Sequence, residues 1–69
     1  MPYAWKNRYE VDETVLVIQN TLERGQGAPE WLKKTVQSAL AQADQELTGY
    51  FYRELQRFVP EGEEFFRRS

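Results

Sequence analysis

The side chains able to do covalent chemistry in this chain are few. Ser38, Ser69, Thr14, Thr21, Thr35 and Thr48 carry the aliphatic hydroxyls, and there is neither Cys nor His. Nucleophilic catalysis needs the nucleophile beside an activating base, and no imidazole is present to take a proton from any of these groups. Paired-carboxylate chemistry needs two acids converging in a cleft. The acids here are mostly spread along expected helix surfaces. Glu61, Glu63 and Glu64 are close in sequence, but on one helix they form no closed cation cage. Without thiolate or imidazole the usual zinc ligand sets cannot be assembled. Gly25-Gln26-Gly27 has only two glycines and reads as an interhelix turn, not a phosphate loop. The expectation is a protein that is not an enzyme and uses no cofactor and no metal.

What remains is binding. The net charge is −2 and the sequence pI about 5.1, with nine basic residues dispersed among eleven acids. Phosphate recognition relies on clustered Lys and Arg, so direct nucleic-acid binding is not expected. The aromatic content of 14% is high for a chain of 69 residues and leaves rings available for a working surface. A domain this short buries only about 60% of what its unfolded chain exposes. It needs a staple, and with disulfides and metals excluded, helix packing, self-association or a partner chain must supply it. Met1-Pro2-Tyr3-Ala4-Trp5-Lys6 lacks the apolar run of a signal peptide, and no stretch approaches the roughly 20 apolar residues of a membrane span. The reading is one domain over residues 1–69, cytoplasmic, with no membrane partner.

Period and punctuation then place the elements. Residues 1–10 read as a short first helix or an ordered arm, with Trp5 and Tyr9 on a common face if helical. Residues 12–24 read as a helix. Asp12 is its candidate N-cap, Val11, Val15, Ile18 and Leu22 form its stripe, and Gly25 is its left-handed stop. Pro29 suits the first position of the next helix. From there Leu32, Val36, Ala39, Ala43, Leu47, Phe51, Leu55 and Phe58 recur at steps of three and four, which predicts one long helix over 29–59. Trp31, Leu40, Tyr50 and Val59 widen that stripe. Gly49 implies either a bend or a closely approaching backbone. Pro60 ends the helix, and a short C-terminal helix fits 61–68. The expected fold is all-α, a small bundle of three to four helices dominated by the long one.

The candidate binding residues lie on these elements. Tyr50, Phe51 and Tyr52 are consecutive and point in three directions around a helix, so at least one ring is left for solvent or a partner. Tyr, Trp and Arg dominate interface energetics. The candidate partner surface therefore comprises Trp5, Tyr9, Tyr50, Tyr52, Arg53, Arg57 and Phe66. Asp44 borders the apolar stripe. It is either a solvated flank residue or a partly buried acid, and in the second case burial raises its pKa and weakens the fold as it ionises.

Ala43-Asp44, Leu47, Leu55, Val59-Pro60 and an aromatic at Phe65 or Phe66 follow a progression that resembles the Hha/YmoA family of small bacterial regulators. The order of elements is similar too. The chain departs from that family in lacking its basic character and in the connection at Gly25–Pro29. The resemblance implies a co-regulator that binds the oligomerisation domain of the nucleoid protein H-NS, with Asp44 as an acid within the helical core. From the residues alone, the leading reading is a helical regulator or adaptor that binds a protein partner. The alternative is a structural homodimer paired along the long helix.

Overall fold

The computed structural model describes residues 3–25 and 29–62. Within them the chain forms three α-helices and no strand. These are α1 (Arg8–Glu23), α2 (Glu30–Gln42) and α3 (Gln45–Phe58), followed by a 3-10 turn at Pro60–Gly62.

α1 (Arg8–Glu23) begins ahead of Asp12, the expected cap. Its N-cap is Asn7, whose side chain accepts from the Glu10 N–H at 3.1 Å, while the Glu10 carboxylate accepts from the Lys6 N–H at 2.9 Å. These contacts satisfy two backbone donors at the helix entrance, in a variant of the reciprocal capping box. Asp12 therefore sits inside the helix rather than at its end. The stop is the expected one: Gly25 has φ 73°, and its N–H donates to the Leu22 carbonyl at 3.0 Å. Pro29 caps α2 from just outside it instead of occupying its first turn.

The long helix over 29–59 does not form. Ala43 and Asp44 are extended (ψ 147° and −179°) and divide the segment into helices of 13 and 14 residues. Asp44 is the N-cap of α3, where Oδ1 accepts from the Leu47 N–H at 2.8 Å. A short acid is a poor residue for a helix interior and among the best for an N-cap, because its oxygen competes for backbone donors. Asp44 is thus an exposed cap, not an acid in the core. Gly49 marks no close approach among the described residues: it lies within α3, exposed, with nothing within 4 Å of where a Cβ would be. The expected end at Pro60 is present, since α3 stops at Phe58. The proposed helix over 61–68 falls largely outside the described residues. Its first part is the 3-10 turn, in which Gly62 packs so closely on Leu22 that a Cβ there would come within 2.7 Å of the Leu22 side chain.

The core collects Val11, Val15 and Ile18 from α1, Leu32, Val36 and Ala39 from α2, Phe51 and Leu55 from α3, and Val59 beyond it. Trp5 joins them from the N-terminal arm, stacked on Phe51 with ring centroids 4.9 Å apart. Its indole N–H donates to the Thr14 hydroxyl at 2.8 Å, and that hydroxyl donates to the Glu10 carbonyl at 3.1 Å. Because the hydroxyl proton of Thr14 is thereby used, the longer 3.4 Å contact with Tyr3 has the phenol as donor. Ser38 and Gln42 of α2 both donate to the Tyr3 carbonyl at 3.0 Å. The arm thus ties all three helices together.

Candidate functional site

The described structure leaves six large hydrophobic side chains exposed: Tyr3, Tyr9, Leu16, Val17, Trp31 and Phe58. Their placement is not scattered. Tyr9, Leu16 and Val17 lie on α1 itself. Tyr9 and Leu16 are two turns apart and therefore share a face. Phe58 lines a groove of about 240 Å³ between α1 and α3, together with Leu16 and Val15. Tyr3 and Trp31 line a second groove of about 360 Å³ on the other flank of α1, together with Val17. All six thus border the outer side of one helix. Leu16 is 57% and Trp31 59% exposed, so the fold draws little burial energy from either.

The cause is local sequence. Val15-Leu16-Val17-Ile18 is a run of four apolar residues, and successive residues on a helix are turned by about 100°. Val15 and Ile18 reach the core, so Leu16 and Val17 must leave it. Nothing polar replaces them.

The rims of these grooves carry carboxylates. Asp12 and Glu54 line the α1–α3 groove, and Glu13 lines the one beside Trp31. Gln19 and Phe58 also line a third depression, of about 440 Å³, which continues the α1–α3 groove toward the 3-10 turn and adds Glu23 and Glu61. Among the described residues no Lys or Arg lines any of the three. At the edge, the Arg57 guanidinium lies 5.1 Å from the centre of the Phe58 ring.

A polar cluster fixes α1 against α3 at the other end of that groove. The Tyr50 hydroxyl donates to Asp12 Oδ2 at 2.9 Å, Arg8 lies 5.2 Å over the Tyr50 ring, and Arg8 pairs with Glu46 at 2.6 Å. The hydrogen bond to Asp12 raises the Tyr50 pKa, with burial and the negative charges of Asp12 and Glu54 adding to it and Arg8 opposing it. The Arg8–Glu46 pair is exposed on both sides and contributes little.

The residues singled out in the sequence are dispersed by this geometry. Trp5 is buried and satisfied in the core, because its ring has Phe51 to stack on and its N–H has Thr14. Tyr9 is the most exposed aromatic of the six, at 70%. Tyr50 and Tyr52 are half-buried; the first is engaged by Asp12 and the second meets the Phe51 ring edge at 5.3 Å. Arg53 and Arg57 are exposed on α3, and Asp44 is a cap. Phe66 lies outside the described residues. Sequence reasoning passed over Leu16, Val17, Trp31 and Phe58, and the signal for the first two was the four-residue apolar run. Among the described residues no group of three or more Asp or Glu is placed to hold a metal ion. No described helix is long and apolar enough to cross a membrane.

These features define a small all-helical protein with an apolar, acid-rimmed outer face on one helix. No protein-family model, curated protein or solved structure matches the chain.

Proposed function

We propose that the chain is a non-enzymatic protein-binding module, a small regulator or adaptor, that engages its partner through the outer face of α1. The observation that carries this reading is the gathering of all six exposed large hydrophobics of the described residues around that one helix. Single exposed apolar side chains are ordinary, whereas several gathered about one helix and edged by polar groups mark an interaction surface. The alternative, a homodimer paired along a continuous 29–59 helix, loses its scaffold at the Ala43-Asp44 break. The resemblance to Hha/YmoA rests on residues 43–66 and on the order of elements, not on the outer face of α1, so it carries no part of this proposal.

The test is site-specific photocrosslinking in the source cells. A benzoylphenylalanine at Val17 should form a discrete protein adduct. The same probe at Gln37, exposed on α2 and lining none of the grooves, should not. Equal labelling from both positions, or none from Val17, would refute the proposal.

A further inference from the structure

We infer that the α1–α3 groove receives a basic amphipathic helix from the partner protein. This deepens the binding-module reading and rests on it.

The groove has the shape of a helix bed. The groove and its continuation run along α1 from Asp12 to Glu23, a rise of about 16 Å at helical spacing. That length suits roughly three turns of a second helix laid alongside. Its apolar lining includes Leu16, Leu22 and Phe58, spaced along the path as anchors at i, i+3 or i+4, and i+7 of an incoming helix require.

Its rim is acidic. Four carboxylates line this path: Asp12 and Glu54 at one end, Glu23 and Glu61 at the other. Among the described residues Glu23, Glu54 and Glu61 accept no side-chain hydrogen bond, whereas Asp12 is held by Tyr50. Among the described residues Arg57 lies against the Phe58 ring and Arg8 over the Tyr50 ring, and neither forms an ion pair with Glu23, Glu54 or Glu61. Lys and Arg flanking an apolar stripe would meet these acids and lay their aliphatic stems on the groove walls. A second copy of this chain presenting the same groove would set carboxylate against carboxylate, which costs affinity. An acidic helix would meet the same repulsion.

The experiment follows amide resonances of the full-length, isotope-labelled protein against three synthetic peptides, each about four to five turns long. One has Leu at helical spacing and Lys elsewhere. The second has Glu in place of Lys. The third is a shuffled Leu/Lys peptide of the same composition with no helical period. The expected result is saturable, salt-sensitive binding of the first alone, with shifts concentrated at Leu16, Gln19, Leu22, Glu54 and Phe58. Glu54→Gln combined with Glu61→Gln should weaken it roughly threefold to tenfold, as the loss of two rim charge pairs predicts. Leu16→Ser should weaken it further while leaving the spectrum folded.

Comparable binding of the Leu/Glu or shuffled peptide, shifts confined to the Trp31 flank, or no binding at all would overturn the inference. So would self-association that shifts the groove resonances with no peptide present. An occupant supplied by the chain's own Phe65-Phe66-Arg67-Arg68 would appear as groove shifts on replacing both phenylalanines with serine, and would equally overturn it. If Val17 captures a protein in cells while the Leu/Lys peptide does not bind, the binding-module reading stands and the basic-helix assignment alone fails.

Discussion

The two sides of α1 are built from the same kind of residue and have opposite fates. Val11, Val15 and Ile18 face inward and are almost wholly removed from water, while Leu16 and Val17, one position away on the same helix, remain in it. Inward, all three belong to one packed cluster with Phe51, Leu55 and the buried residues of α2. Outward, Leu16 and Val17 look onto open grooves edged by carboxylates. The difference separates what the fold uses from what it leaves over. Apolar character alone does not say which is which; the neighbours across the interface do.

That contrast can be broken most sharply at its extremes. Phe51→Ala removes the ring on which Trp5 and Tyr52 pack and should cost about 3–5 kcal/mol, as large core truncations do. A chain this small has little reserve, so the variant should lose most of its helical circular dichroism at 25 °C. Leu16→Ala should leave the urea midpoint nearly unchanged, within about 0.5 kcal/mol. If Leu16→Ala were as damaging as Phe51→Ala, the outer face would belong to the fold.

Asp44→Ala comes next. It removes the cap of α3 and should cost about 1 kcal/mol in urea unfolding, with Asn at the same position largely restoring it. A continuous helix through residues 43 and 44 makes the opposite prediction, because Ala is the better helix former and the substitution would then stabilise. Gly49→Ala, in open space on α3, should stabilise by roughly 0.5–1 kcal/mol. A loss there would mean that something approaches this helix after all.

The smallest effect concerns Tyr50. Its raised pKa means that the protonated phenol favours the folded state. That contribution is fully present below the ordinary tyrosine pKa of about 10 and is lost as pH rises through the higher folded value. The advantage of the wild type over Tyr50→Phe in urea midpoint should therefore shrink steadily above about pH 10. Tyr50 should also ionise above the ordinary tyrosine value in an ultraviolet titration of the wild type read against Tyr50→Phe. An advantage that grows with pH would contradict the Asp12 hydrogen bond.

Much of the fold was legible because it follows from spacing. Val11, Val15 and Ile18 are the core stripe of α1, Leu32, Val36 and Ala39 that of α2, and Phe51 and Leu55 that of α3. Gly25 and Pro60 end helices for reasons internal to their own backbones. The break at Ala43-Asp44 was hidden because Ala39, Ala43 and Leu47 keep a step of four across it, so periodicity is blind to the interruption. The capping preference of Asp44 was the only local cue. The pattern Asn7-Arg8-Tyr9-Glu10 was likewise readable as a helix entrance, and it moves the start of α1 ahead of Asp12. Trp5 was misjudged because burial of an indole depends on finding a partner for its N–H, and Thr14 reveals itself as that partner only once the arm has folded back. The same holds for the site. Leu16 and Val17 could be inferred from the apolar run, but Tyr3, Trp31 and Phe58 come beside α1 only through packing between distant segments.

The central claim is that the outer face of α1 is dispensable to the fold and required for the partner. The most direct measurement places a photocrosslinker at Trp31, beside that face, in the wild type and in Leu16→Ser/Val17→Ser, with urea unfolding of the same two proteins. The account predicts closely matching unfolding midpoints and loss of the protein adduct in the double variant. A double variant that unfolds, or one that still forms the adduct at full yield, would contradict it.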